Sequence, residues 1–408
     1  MNKKEKATLV PRLRFPEFRS TGEWKISTLS NLASKITVRN KNNLINRVLT
    51  NSAVEGVVDQ SDYFDREVAN QNNLENYFVI DEGDYVYNPR ISVNAPVGPI
   101  SKNKVGRGVM SPLYTVFRFE NPNNDFYEQY FKTNLWHSYL KRVSNTGARH
   151  DRMSISIGDF TKMPLPHHSE EEQQKIADCL SSLDDIITAE DKKFVALKAH
   201  KKGLMQKLFP VEGETVPEWR FPEFRGSGEW EISPLSEVCE NLDSKRIPIA
   251  EKDRKKGSTP YFGASGIIDY VDGFIFDEIL LCVSEDGANL VARTYPIAFS
   301  ISGRTWVNNH AHVLKFENNF TQILVESYLN NIDLGEFLTG MAQPKLNRAK
   351  LDIIPIPLPK EKEQQKIADC LSAIDTLITA QGEKIKTLKL HKKGLMQGLF
   401  PSIEEVSE

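Results

Sequence analysis

The sequence predicts a mixed α/β chain of the α+β kind, built twice. Two globular domains are separated by two long antiparallel helices forming an intramolecular coiled coil, a pseudo-twofold repeat. Three observations carry this. "QQKIADCLSSLDDIITAEDKKFVALKAHKKGLMQKLFP" (from Gln173) returns as "QQKIADCLSAIDTLITAQGEKIKTLKLHKKGLMQGLFP" (from Gln364), at a constant offset of 191. "RFPEFRSTGEWKISTLS" (from Arg14) returns as "RFPEFRGSGEWEISPLS" (from Arg220), at an offset of 206. Between these repeats the two blocks differ in sequence while keeping similar apolar positions. Framework is held and content is varied.

The stretch "MNKKEKATLV" lacks the apolar core of a signal peptide, so residues 1–10 are expected as a flexible N-terminus and a cytoplasmic location is the default. The first domain is expected over 11–168 and the second over 211–360. Short β-branched and aromatic runs predict their strands: "YFVI", "DYVYN", "YTVFRF", "EILLCVS", "IAFSIS" and "HVLKF". "DFYEQYFKTNLWHSYLKRV" and "QILVESYLNNIDLGEFL" have helical spacing. Prolines in "MPLPHH" and "IPIPLPKE" are expected to close each domain, "FPVEGETVPEW" to link the halves, and residues 402–408 to form a tail.

The long helices are expected over 169–210 and 361–401, the first opened by a Ser169–Glu172 capping box. Their apolar stripes alternate steps of four and three, as a coiled-coil seam requires. The first runs through Leu183, Ile187, Glu190, Phe194, Leu197, Lys201 and Leu204; the second through Ile378, Gln381, Ile385, Leu388, Lys392 and Leu395. Parallel pairing would set Lys201 beside Lys392. Antiparallel pairing is expected instead, with Glu190 opposite Lys392 and Lys201 opposite Gln381. Cys179, Ile186, Cys370 and Leu377 widen the apolar face beside the seam and are the candidate contacts for partner subunits.

The 408 residues carry a net charge of −3, which argues weakly against gripping nucleic acid by bulk charge alone, and four cysteines without a CxxC pair, which read as reduced thiols rather than a disulfide or zinc framework. No P-loop or HExxH motif occurs, and no metal-ligand spacing surrounds His150, His310 or His312. "YFGASG" reads as a turn rather than a cofactor loop. Two unlike domains on a twofold helical frame suit duplex DNA with unlike half-sites. A paired binding scaffold without DNA is the rival reading.

Taken together, "GDYVYNPR", "GVMSPLYTVF", "TGARHDRMS", "TPYFGASGIIDYV", "GMAQPKLN", "IPIPLP" and both "EQQKIA" and "GLMQ.LFP" helix ends resemble the specificity subunit of type I restriction–modification systems. The resemblance covers essentially the whole chain. It implies two target-recognition domains reading a split, asymmetric double-stranded DNA site, and no catalysis by this chain. It also implies assembly with modification (adenine methyltransferase) subunits, expected to be two, and with restriction translocase–nuclease subunits. AdoMet, ATP and Mg are expected on those partners, and no cofactor or metal on this chain.

Base and phosphate readers are sought among Arg, Lys, Asn and Gln on loops. The candidates are Asn88, Arg90, Asn94, Arg107, Asn145, Arg149, His150 and Arg152 in the first domain. In the second they are Ser302, Arg304, Asn308, Gln343, Lys345, Asn347 and Arg348. Arg107 and Arg304 match across the repeat, which suits phosphate or framework more than a distinct base.

Overall fold

The computed structural model describes residues 9–63, 74–145, 151–340 and 343–403. The chain divides into two compact units, residues 1–189 with 385–408, and residues 190–384.

The first unit holds two four-stranded sheets. One runs Ala33–Lys35, Thr115–Phe119, Tyr85–Tyr87, Ile100–Lys102, antiparallel throughout. The other runs Gly56–Asp59, Val48–Ser52, Gly108–Met110, Phe78–Ile80, with 48–52 and 108–110 parallel. β-branched and aromatic side chains fit such half-buried pleats. Tyr85, Phe117, Phe119 and Phe131 gather edge-on or stacked beneath the first sheet. The expected helical stretch 125–143 is two helices, Asp125–Phe131 and His137–Val143. Trp136 is buried in the break and its indole N–H donates to the Phe131 carbonyl.

The second unit repeats this order strand for strand. Its sheets run Glu240–Asn241, Ala311–Lys315, Leu280–Ser284, Ala298–Ile301 and Gly266–Val271, Lys256–Gly263, Arg304–Val307, Phe276–Asp277. The proline segments are strands rather than terminators. Pro164–His167 pairs with Lys25–Thr28, and Pro355–Leu358 with Glu231–Pro234, each a two-stranded ribbon. A ribbon has only one ladder, so a proline lacking its N–H is tolerated on the free side.

The long helices are Glu170–Leu208 and Glu361–Leu399, 39 residues each, about 58 Å at ~1.5 Å per residue. Ser169 Oγ accepts the Glu172 N–H at 3.4 Å, but the other half of the expected capping box is absent. The Glu172 carboxylate instead takes both arms of Arg14 at 2.8 and 2.7 Å. Arg220 and Glu363 repeat this in the second unit at 2.7 and 2.6 Å. Both carboxylates are buried.

Within each unit the helices run antiparallel, yet the register differs from the expected one by about a heptad. Glu190 meets Gln381 and Lys384, each at 2.6 Å, not Lys392. Lys201 meets Asp375 at 2.6 Å, not Gln381, and Lys392 meets Asp184 at 2.5 Å. Apolar layers tolerate a heptad slip; the polar residues decide. Asp184 and Asp375 lie beside the seam, so a reading of seam positions alone leaves them out.

The domain cores interleave with both helices. In the first unit Ile176, Ala177 and Leu180 share one cluster with Leu399, Phe400 and Ile403. In the second, Met205, Leu208 and Phe209 share one with Ile367, Ala368 and Leu371. Two expected boundaries therefore move: Leu9 and Ile403 belong to the core, not to a flexible end or a tail.

Candidate nucleic-acid interface

Each unit builds a small junction beside its sheets. In the first, Arg90 and Arg152 face each other on an isolated antiparallel bridge. Ile91 N–H donates to Asp151 O and Met153 N–H to Pro89 O, both at 2.9 Å. Asn145 joins through its N–H to Ser154 O at 2.9 Å. The loop closes because Asn88 Oδ1 accepts the Arg90 N–H at 3.0 Å while its amide donates to Asn51 O at 2.9 Å. Gly98 adopts φ +80°, where a Cβ would lie 2.0 Å from the Asn88 carbonyl oxygen. Residues directly opposite on a bridge send side chains to one side, so two guanidinium groups repel there. A phosphate between them would remove that cost.

The second junction has the same pattern with different charge. Lys345 bridges both Asp286 and Thr339, and its Nζ lies 3.3 Å from Glu285. Glu285 also takes Arg246 at 2.8 Å. His310 bonds Asp286 at 2.8 Å, and His312 is held between Asp243 at 2.6 Å and Leu346 O at 2.8 Å. Burial pushes the Asp243 and Glu285 carboxyls up, but His312 on the first and Arg246 on the second outweigh it. Both stay below the usual carboxylate value. Every charge at this junction has a mate.

Arg107 and Arg304 each stand near one acid, Asp81 at 3.7 Å and Asp277 at 3.6 Å, with side chains 68% exposed in both. Arg304 also covers the Phe274 ring at 4.8 Å. Asn94, Ser302 and Gln343 are exposed, and Arg348 leans on Asp352 at 3.4 Å. Besides Asn88, two candidates are occupied by framework. Asn308 is buried and its Oδ1 accepts the His310 N–H at 2.8 Å. Asn347 caps the helix Arg348–Asp352 by accepting the Lys350 N–H, as Ser156 caps Ile157–Thr161 in the first unit. Arg149 and His150 lie outside the described residues.

A further basic surface was passed over in the sequence. Lys252, Lys255 and Lys256 are exposed next to a bulged hairpin whose Ile267, Ile268 and Tyr270 are also exposed. The run "KDRKKG" was its signal. Of the candidate partner contacts, Ile186 and Leu377 are exposed while Cys179 and Cys370 are half-buried.

Among the described residues no three His, Cys, Asp or Glu side chains are grouped to hold a metal ion. No helix there is long and apolar enough to cross a membrane.

Residues 227–390 match the family described as type I restriction modification DNA specificity domain. A putative type I restriction enzyme specificity subunit of Haemophilus influenzae is 35% identical over 149 residues, which cover 36% of this chain and 38% of that one. The MjaVIII type I restriction enzyme specificity subunit of Methanocaldococcus jannaschii is 27% identical over 332 residues, 72% of this chain and 74% of that one. The match thus spans well under half of the first relative and about three quarters of the second. In fold the chain is similar to the crystal structure of a type I restriction–modification S subunit from M. genitalium. That likeness has a TM-score of 0.62 at 13% identity, over 96% of this chain and 99% of that one.

Proposed function

We propose that the chain is a DNA-specificity member of a type I restriction–modification system and that each domain reads one half of a bipartite, asymmetric duplex site. The two long helices set the unspecified spacer and dock two modification (adenine methyltransferase) subunits. Restriction translocase–nuclease subunits join the same cytoplasmic assembly. AdoMet, ATP and Mg act on those partners; this chain is the non-catalytic specificity member.

The observation that supports this reading is the pair of junctions, alike in backbone and unlike in charge. Arg90 and Arg152 in one unit and the mated set around Lys345 in the other offer two different surfaces on one framework. Phosphate contacts hold a reader in place, whereas side chains that differ between domains supply sequence discrimination.

A domain exchange tests it. Replacing residues 11–165 with the matching domain of another family member, followed by methylome sequencing of the host, should change one half of the methylated sequence only. A change in both halves would overturn the assignment of one half-site to each domain. The spacer has its own test. Four residues inserted after both Ala189 and Ala380 add ~6 Å of helix at ~1.5 Å per residue. This should lengthen the spacer by one or two base pairs and leave both half-sites intact.

A further inference from the structure

The repeat that doubles the long helices also doubles a cavity. In the first unit a cavity of about 1000 Å³ lies between the end of the second helix and residues 132–135. In the second unit a cavity of about 610 Å³ lies between residues 198–205 and the C-terminal half of helix Asn319–Asn331. The same helix face lines both. It presents Lys389, Lys392 and Lys393 in one and Lys198, Lys201 and Lys202 in the other.

Cations outnumber carboxylates around each. In the first cavity Arg12 and Lys132 join the three lysines, and Asp184 is the lone carboxylate of the lining. Asp184 already takes Lys392 at 2.5 Å and Lys132 at 3.1 Å, so one negative charge serves two ammonium groups. Burial, with Lys132 adding to it, lowers the Lys392 pKa despite the Asp184 bond. In the second cavity Asp375 takes Lys201 at 2.6 Å. Arg293 is half-buried and donates to the carbonyl oxygens of Leu329 at 3.1 Å and Ile332 at 2.9 Å. Burial lowers the Arg293 pKa, and the Asp333 carboxylate works against that. Burial pushes the Glu326 carboxyl toward its neutral form, and it accepts from Ser300.

The helix seam needs only Lys201 and Lys392, which reach Asp375 and Asp184. The flanking lysines at 198, 202, 389 and 393 are exposed and line the cavities. Clustered ammonium groups on flexible stems, with a half-buried guanidinium beside one cluster, match a compact anion of several charges rather than a single carboxylate. We propose that each cavity binds a small polyphosphate of the triphosphate class, giving two such sites per chain.

The test is calorimetric titration of the full chain with inorganic tripolyphosphate at low salt, repeated with ATP as competitor. Two saturable sites are expected, with ATP displacing tripolyphosphate from both. Lys389→Gln with Lys393→Gln should weaken one site at least tenfold, and Lys198→Gln with Lys202→Gln the other. All four lysines are exposed, so thermal melts should match the unmodified chain. Absence of saturable binding, or binding unchanged in both double variants, overturns the proposal. So does full displacement by a duplex lacking the target sequence together with weaker duplex binding by the variants, because the lysines then belong to the DNA path.

Discussion

The two junctions place the same bridge between the same strands and reach opposite electrostatic solutions. Arg90 faces Arg152 with a weak acid neighbour, Asp151 at 3.8 Å from Arg152. Its counterpart Asp286 faces Lys345, and Glu285, Arg246, His310 and His312 complete a closed set of pairs. Among the described residues the first surface keeps a surplus of positive charge. The second has satisfied itself. Elsewhere the units share ties in the same places: Arg14–Glu172 with Arg220–Glu363, and the Ser156 cap with the Asn347 cap. A repeat can therefore hold its ties constant and vary charge where backbone geometry is already fixed.

The constant ties should respond in order of their support. Arg220→Ala removes the mate of the buried Glu363 carboxylate, at a cost of about 3–5 kcal/mol. Arg14→Ala leaves Glu172 with His168 at 2.8 Å, so urea unfolding should show the smaller loss there; equal losses would mean that the histidine adds nothing.

The variable network should respond in one unit only. Aligning "GRGVMSPLYTVFRFEN" (from Gly106) with "GRTWVNNHAHVLKFEN" (from Gly303), an offset of 197, sets His312 where the first domain has Thr115. His312→Gln should cost about 1.5–3 kcal/mol at pH 7. Asp243 and Glu285 have depressed folded values, so their stabilisation is fully present above the ordinary carboxylate value near ~4 and is lost as pH falls through the folded values. The difference between His312→Gln and the unmodified chain should therefore shrink in acid. A difference that grew below pH ~4 would reverse the sign argued here.

A smaller contrast concerns salt. Arg90→Gln with Arg152→Gln should weaken duplex binding by the assembled complex about tenfold and lower the slope of log K against log salt by about two. Lys345→Gln should lower the slope by less than one, because Glu285 already neutralises it. Equal slopes for the two variants would erase the distinction between the junctions.

The smallest effect separates framework from reader. Ser156→Ala and Asn347→Ala should each cost about 1 kcal/mol as lost caps, with the methylated sequence unchanged. A new half-site from Asn347→Ala would return that residue to the readers.

Much of the fold was legible because its signals are local. Strands such as Thr115–Phe119 and Leu280–Ser284 announce themselves through β-branched and aromatic runs. Gly108–Met110 and Gly56–Asp59 do not, since they are short, glycine-containing and defined by pairing with distant chain. The helix seam was legible in its polarity but not in its register, because Asp184 and Asp375 stand off the stripe. The interface shows the same limit. Arginine and lysine could be picked out by type, but nothing local brings Arg90 opposite Arg152. Asn308 and Asn347 are committed locally, to backbone N–H groups two and three residues on, a use that a search by residue type alone passes over.

One consequence follows from the cluster that joins Leu399, Phe400 and Ile403 to the first domain. Those residues leave the ribosome only after the whole of 190–384. At ~5–20 residues per second, the first domain waits on the order of 10–40 s for the side chains that complete its interior. A prematurely terminated chain never receives them, so its first domain keeps an open apolar wound that chaperones and proteases can find. Synthesis through Ile403 is thus the condition for a finished first-domain core.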